Sequence, residues 1–289
     1  MDRCRRCGLR RRHLAGFEAR ARIFSHLFSN ILITLGTFLL SAHLAAAQED
    51  AASLVRKSAE ANQRDWTAAP EFDNSERDRT KGGDKTYAVT MIEGSPYERL
   101  IAMNGHDLSV ARQQEEQNKY EMAISERKHK SAEQRSRRIA KYEVERKRDQ
   151  MMLEQMTAAF DFRMVGKHTL DGHRVYVLKA TPRKSYKPPN RDCEALTGME
   201  GTLWIDQKTF QWVKVEAHVM HPVKIEGFLA EVEPGTRFEV EKRPVSGDIW
   251  LASHYSMRSN ARVLLLIPHK GAEDDTYFNY RRANTSSEK

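Results

Sequence analysis

The carboxy-terminal half of the chain alternates apolar and polar residues with a period of two, and this feature constrains the fold most. From Phe160 onward, runs of this kind are separated by short segments that carry turn residues, such as Asp171-Gly172 and Pro234-Gly235. Strands joined by such short links are antiparallel neighbours, because a parallel crossover needs about a dozen residues. The pattern predicts strands at Phe160–Met164, His173–Thr181, Gly201–Asp206, Gln211–Met220, Gly227–Glu233, Thr236–Lys242, Asp248–Met257, Arg262–Ile267 and Asp274–Arg281.

The alternation assigns most apolar residues of this half to one face of the sheet. We predict that this face lines an apolar ligand cavity. The residues are Leu203, Ile205, Val213, Val215, Val219, Phe228, Phe238, Val240, Leu251, Tyr255, Val263, Leu265 and Phe278. A curved sheet with one apolar side is either covered by helices or filled by a ligand, so ordinary core packing stays open as the alternative.

The residues before this half predict helices and a hairpin. Residues 51–66 contain no helix breaker and place apolar side chains at helical spacing, which predicts an amphipathic helix. Two short strands, Tyr87–Ile92 and Tyr97–Met103, flank the turn residues Glu93 to Pro96 and predict a β-hairpin. Together these elements predict an α+β fold, a large curved antiparallel sheet, or half-barrel, covered by helices.

A long charged helical insertion interrupts this fold at about residues 109–157. Twenty of the forty residues from Ala111 to Gln150 are charged, and the chain has no Gly or Pro between Gly105 and Gly166. One rod of forty residues would reach about 60 Å, so two helices that reverse near Lys130 to Gln134 are favoured over one. A solvated surface is the default for such a segment, and docking of a protein partner or an anionic membrane is the alternative.

The amino terminus has the features of an export leader. Residues 1–22 carry eight Arg, an apolar run follows to Leu40, and Ala45 to Ala47 match a small-residue cleavage site. This predicts a signal peptide over residues 1–47, cleaved between Ala47 and Gln48, and therefore a periplasmic or otherwise exported domain over residues 48–289. An uncleaved anchor and an upstream start codon wrongly included remain open, although the apolar run falls short of the roughly 20 residues that span a bilayer.

Removal of the leader changes the charge and cysteine arguments. The whole chain has 48 basic and 40 acidic residues, a formal net charge of +8, whereas without the leader 40 basic and 38 acidic residues remain. This near balance gives no reason to propose a nucleic-acid partner. Cys4 and Cys7 leave with the leader, and Cys193 alone cannot form an internal disulfide.

The sequence contains no recognisable catalytic motif, and we predict a protein that is not an enzyme and has no cofactor and no metal. It lacks the Gly-x-Ser-x-Gly, His-Glu-x-x-His and phosphate-loop patterns. His218 and His221, with Cys193 or Glu216, are a weak metal candidate, because strand positions three apart point to opposite faces. The adjacent acids Asp274 and Asp275 are a similarly weak calcium candidate.

The most telling local pattern is Gly201-Thr-Leu-Trp-Ile-Asp-Gln-Lys-Thr-Phe-Gln-Trp-Val-Lys-Val-Glu216, in which a strand turns at Asp206 to Thr209 and an alternating strand returns. This stretch resembles a hairpin of the LolA/LolB-like periplasmic lipoprotein carriers, the outer-membrane lipoprotein-sorting proteins. The resemblance covers about residues 50–105 and 158–282. The charged insertion departs from the small carriers and resembles a group of exported bacterial proteins that share the half-barrel. No functional residue of a carrier maps onto a particular position here.

The resemblance implies a non-enzymatic cell-envelope protein that binds a lipid or an acylated protein in the half-barrel, with a role in lipoprotein sorting or transport to the outer membrane. Its expected partner is a lipid or the acyl chain of a lipoprotein, with peripheral membrane contact. The alternative is an envelope-stress sensor or scaffold that docks an envelope protein through the charged helices.

Overall fold

Three helices precede or interrupt the strands in this computed structural model, which describes residues 51–225, 230–263 and 267–283. Helix α1 spans residues 51–68 and is followed by a 3-10 turn, Ala69–Glu71. Helices α2 (Val110–His129) and α3 (Ala132–Ala159) form the insertion. The predicted leader and its cleavage site at Ala47 and Gln48 lie outside the described residues. No helix in the described ranges is both long enough and apolar enough to cross a membrane.

The thirteen strands of the sheet are all paired with antiparallel neighbours. They are β1 (Phe72–Thr80), β2 (Gly83–Ile92), β3 (Ser95–Met103), β4 (His106–Asp107), β5 (Phe160–Leu170), β6 (His173–Pro182), β7 (Met199–Asp206), β8 (Trp212–Val219), β9 (Val223–Ile225), β10 (Ala230–Val232), β11 (Arg237–Ser246), β12 (Ile249–Val263) and β13 (Ile267–Arg282). A second 3-10 segment, Asp192–Gly198, leads into β7.

The sheet is open, and its main path runs β4-β3-β2-β1-β13-β12-β11-β8-β7-β6-β5, with β9 and β10 beside β12. This arrangement confirms the predicted fold class, a large antiparallel half-barrel with helices. Most sequential strands are neighbours, as their short links predict. One exception is β1, the first strand, which pairs with β13, the last. This pairing joins strands β1 to β4 to the rest of the sheet.

Two strand predictions were incomplete. Strand β1 was not predicted, because its sequence FDNSERDRT is almost entirely polar and lacks apolar alternation. The predicted strand Arg262–Ile267 is not a separate element: β12 runs without a break to Val263, and β13 begins at Ile267, paired with it. The polar residues Arg258 to Asn260, which lie between the two predicted strands, belong to this long ladder.

The insertion consists of two helices, and their boundary lies at Lys130 and Ser131, where a break was predicted. Ser131 caps α3: its hydroxyl accepts a hydrogen bond from the Gln134 backbone, and the Gln134 side chain accepts one from the Ser131 backbone. The predicted reversal into a helical pair was wrong. Helix α2 packs along β3, whereas α3 contacts β3 only near its start and then leads to the 3-10 segment Asp192–Gly198 and β5.

The main core lies between the carboxy-terminal strands, α1 and the end of α3. Its buried members are Ala51, Leu54, Val55, Ala159, Phe160, Phe162, Leu178, Ala180, Cys193, Leu196, Leu203, Ile205, Trp212 and Val215. Helix α1 therefore uses its apolar stripe as predicted, and the end of α3 contributes Ala159 and Met156 to the core. A second, smaller cluster contains Val175, Val177, Val213 and Trp250.

Candidate functional site

Strand pairing defines two faces of the sheet. The helix-covered face carries Leu203, Val215, Val240 and Tyr255, because each is directly paired with the next across β7, β8, β11 and β12. Ile205, Val219 and Phe238 share this face by the same pairing, so seven of the thirteen predicted cavity residues lie together. The charged face is the opposite one and carries Lys214, Glu216, Glu239 and Glu241.

Three predicted cavity residues do not belong to this face. A bulge in β8 makes Val213 an extra residue, and it packs in the second cluster with Val177 and Trp250. An irregularity opposite Glu241 and Lys242 places Leu251 in register with Arg243.

Phe278 is displaced by register rather than by a bulge. Asp275 pairs with Tyr255, so Tyr277 shares the helix-covered face and Phe278 faces the opposite way, beneath the guanidinium of Arg77. Alternation within one strand cannot fix the register between two strands, which explains this error. Phe228 and Leu265 lie outside the described residues, and Val263 ends β12.

Part of the helix-covered face is closed by the protein itself. Leu203 is 2% exposed, Ile205 0% and Val215 1%, beneath α1 and the end of α3. These side chains belong to the core of this structure. Ordinary core packing, the alternative to a ligand cavity, therefore describes this half of the predicted cavity. A ligand here would have to displace α1.

The face continues beyond α1 as a half-buried aromatic patch, formed by Phe238, Val240, Tyr255 and Met257. Phe238 packs against the edge of the main core, and its ring meets that of Tyr255 edge-on with centroids 5.7 Å apart. The Tyr255 hydroxyl lies 3.4 Å from the Met257 sulfur. This patch is the part of the predicted site that stays accessible.

An acidic group borders the aromatic patch on the same face. Burial, with Glu98 and Asp275 nearby, raises the pKa of Glu76 to about 7. Burial and the neighbouring Asp78 raise the pKa of Asp275 to about 6. Near neutral pH, Glu76 is therefore only partly ionised, which lowers the cost of placing apolar material beside it.

A buried ion pair fixes α1 over the sheet. The Asp65 carboxylate is 2% exposed and lies 2.5 Å from the Lys242 ammonium, which also donates to Asn62 at 2.8 Å. Asp65 accepts further hydrogen bonds from the Gln211 side chain and the Trp250 backbone, both at 3.0 Å. Burial lowers the pKa of Lys242, and the charge of Asp65 opposes that shift. Sequence reasoning missed this pair, because a single polar position in α1 carries no local signal.

The charged face holds a chain of ion pairs rather than an open metal site. Carboxylate oxygens of Glu239 and Glu241 lie close to a ring nitrogen of His254, all within 4.8 Å of one another. The Lys214 ammonium sits among these acids, 3.0 Å from Glu239 and 3.4 Å from Glu241, and neutralises them. The acids attract a cation, but this lysine already supplies one.

The weak metal candidates from the sequence are separated in space. His218 pairs with Arg237 on the charged face, while His221 lies beyond the end of β8. Asp274 and Asp275 are successive strand residues and point to opposite faces.

Two depressions of about 500 and 550 Å³ occur on the sheet. Their linings combine charged, polar and apolar side chains. The larger is lined by Glu216, Ala217, His218, Arg237, Phe238, Glu239, Ser256 and Arg258. Neither has the largely apolar lining that was predicted for a lipid cavity.

Comparison with known proteins gives similarity in fold. No protein-family model and no curated protein matches the chain. The solved structures that match include a DUF1329 family protein from Desulfovibrio piger, with 9% identity and a TM-score of 0.30 over 81% of this chain and 94% of that one. A LolA superfamily protein from Nitrosomonas europaea matches with 11% identity and a TM-score of 0.29 over 81% and 94%. A chain of the Pseudomonas aeruginosa MucA/MucB complex matches with 11% identity and a TM-score of 0.24 over 81% and 99%.

Proposed function

We propose that this is a non-enzymatic, exported cell-envelope protein that binds the acyl chain of a lipid or lipoprotein on the helix-covered face of its half-barrel. The observation that carries the proposal is the change along that face. Leu203 and Val215 are buried beneath α1, whereas the four side chains of the aromatic patch are only half-buried. An acyl chain lying along this patch would bury apolar area at about 25 cal/mol per Å².

The polar surroundings of the patch support a ligand with one polar end. Glu76 and Asp275 border it, and the raised pKa of each, to about 7 and about 6, keeps part of their carboxyl groups protonated near neutral pH. A protonated carboxyl donates a hydrogen bond, which suits the ester or amide oxygens of an acylated molecule. Binding of this kind requires no covalent chemistry.

The test uses neighbouring residues of β11 that point to opposite faces. Phe238→Gln places an amide in the aromatic patch, whereas Glu239→Gln makes a polar change on the charged face. The purified protein should take up a fluorescent fatty acid. Phe238→Gln should weaken uptake about tenfold, because the apolar area that the Phe238 ring buries against the ligand is lost. The Glu239→Gln variant should bind as the parent does. Equal uptake by both variants, or the absence of any lipid in organic extracts of the purified protein, contradicts the proposal.

A second candidate function, an envelope-stress sensor or scaffold, is supported by the insertion. Met122 in α2 is 70% exposed and Val144 in α3 is 67% exposed, although both are apolar. Deletion of residues 111–150 is a poor test, because Arg146 and Gln150 hold α1 through Trp66 and Gln63. Substitution of Met122 and Val144 by Glu is sharper. A scaffold should lose a protein partner in pull-downs while fatty-acid uptake persists.

A further inference from the structure

The outward face of α3 is cationic around an apolar centre. Residues three and four positions apart share one side of a helix, so this face can be read from the sequence once the inward side is known. Its members are Glu133, Arg137, Ala140, Lys141, Val144, Lys147, Arg148 and Met151. The side chains of Arg137 and Lys141 are 78% and 80% exposed.

The inward side of α3 is fixed by contacts along its length. Arg138 donates to the Ser95 hydroxyl at 2.9 Å and to the Glu93 carbonyl at 2.8 Å. Eight residues further along α3, the Arg146 guanidinium stacks over the Trp66 ring, 4.3 Å from its centroid. It also donates a hydrogen bond to the Trp66 carbonyl. These contacts orient the helix, so the outward face is presented to solvent by the fold.

A glycine permits this approach of α3 to the sheet. Gly94, in the β2–β3 turn, has a φ of +78°, and a β-carbon added there would lie 2.9 Å from the Ile139 side chain. Ile139 therefore packs directly on the turn. This close contact between the turn and α3 helps to fix which side of the helix faces the sheet.

The positive charge is concentrated in α3 and the junction before it. Helix α2 has four basic and four acidic residues, whereas α3 has seven basic and five acidic ones and follows Lys130 at the junction. Three of the four cations on the outward face lie near an acid. Arg137 is 2.5 Å from Glu133, Lys141 is 3.9 Å from Glu145 and Arg148 is 3.0 Å from Asp192. Exposed pairs of this kind are weak, and the outward face carries four cations against one acid, so it keeps a net positive charge.

We propose that the outward face of α3 binds the surface of an anionic phospholipid bilayer. The long Lys and Arg side chains reach lipid phosphates while Val144, which is 67% exposed, enters the headgroup level. The exposed side of a single helix is convex and has no groove to fit a particular partner. It is attracted to any densely charged anionic surface, which favours a membrane over an acidic protein. The inference uses residues outside the aromatic patch and stands independently of the proposed acyl-chain site.

The first experiment measures co-sedimentation of the full chain with vesicles of phosphatidylcholine alone and with added phosphatidylglycerol. The variant Arg137→Gln/Lys141→Gln/Lys147→Gln should bind the anionic vesicles about a hundredfold more weakly, since each cationic side chain contributes about fivefold. The matched control replaces the exposed loop residues Lys184, Lys187 and Lys208 by Gln. It keeps the same basic amino terminus and should bind as the parent does.

The second experiment reports on the face directly. Tryptophan introduced as Val144→Trp should shift its emission to shorter wavelength with anionic vesicles and be quenched by brominated lipid. Met122→Trp, on the charge-balanced α2, should do neither. Equal binding of the triple variant and its loop control overturns the proposal. So does an unshifted Val144→Trp spectrum, or binding of a soluble acidic polypeptide in place of vesicles.

Discussion

At the scale of single residues, one buried ion pair determines how α1 sits on the sheet. Asp65 accepts hydrogen bonds from an ammonium in β11, a side-chain amide just before β8 and a backbone N–H in β12. Each of these groups lost water on folding, so each depends on the carboxylate.

Replacement of Asp65 by Asn should destabilise the protein by about 3–5 kcal/mol, because it leaves Lys242 buried without a countercharge. The double variant Asp65→Asn/Lys242→Met should recover much of that loss. Urea unfolding followed by circular dichroism measures both. A loss below about 1 kcal/mol in the single variant would show that the pair does not hold α1.

Glu76 gives the fold a pH dependence of predictable sign. Its folded-state pKa, about 7, lies above the ordinary value of 4.5, so the folded state holds the proton more tightly. The stabilisation is fully present below about pH 4.5 and is lost as the pH rises through about 7. Glu76→Gln should therefore be more stable than the parent above neutral pH, by about 1 kcal/mol once its partial exposure is discounted.

The measurement is the unfolding midpoint of parent and Glu76→Gln across this pH range. The exposed Glu60→Gln variant in α1 serves as the control and should follow the parent at every pH. A parent whose stability does not fall between pH 4.5 and 7 more steeply than that of Glu76→Gln would contradict the assignment.

At the scale of elements, the sequence predicted helices and hairpins well but not their relations. The first helix, the β2–β3 hairpin and the strands around Gly201 to Val219 follow from periodicity and turn residues. Val213 and Phe278 were misplaced because a bulge and a strand register depend on distant partners. The break in the insertion carried a local signal, the capping box Ser131-Ala-Glu-Gln134, which pinpoints the start of α3.

Ser131→Ala should destabilise α3 by about 1 kcal/mol, because it removes the capping hydroxyl. Ser136→Ala, an exposed change five residues into the helix, should be neutral or slightly stabilising, since alanine is the better helix former. Helicity by far-UV circular dichroism during urea titration compares them. Identical midpoints for the two variants would mean that the cap is dispensable.

At the scale of the whole molecule, the open sheet and its helical cover were predictable, while the extent of the cover was not. Alternation placed Leu203 and Tyr255 on one face, yet gave no means to tell that α1 buries the first and leaves the second half-buried. That difference depends on where Asp65 meets Lys242, a contact between residues 177 positions apart. The candidate site is therefore half core and half accessible surface.

The pairing of β1 with β13 has a consequence for biosynthesis. The Ala283 backbone N–H donates to the Glu71 carbonyl at 2.7 Å, so the two ends of the sheet-forming sequence meet in its middle. The amino-terminal hairpin cannot join the remaining strands until β13 has left the ribosome. Completion of the whole sheet therefore follows the synthesis of β13, and the edges of β1 and β12 that it joins stay open until then.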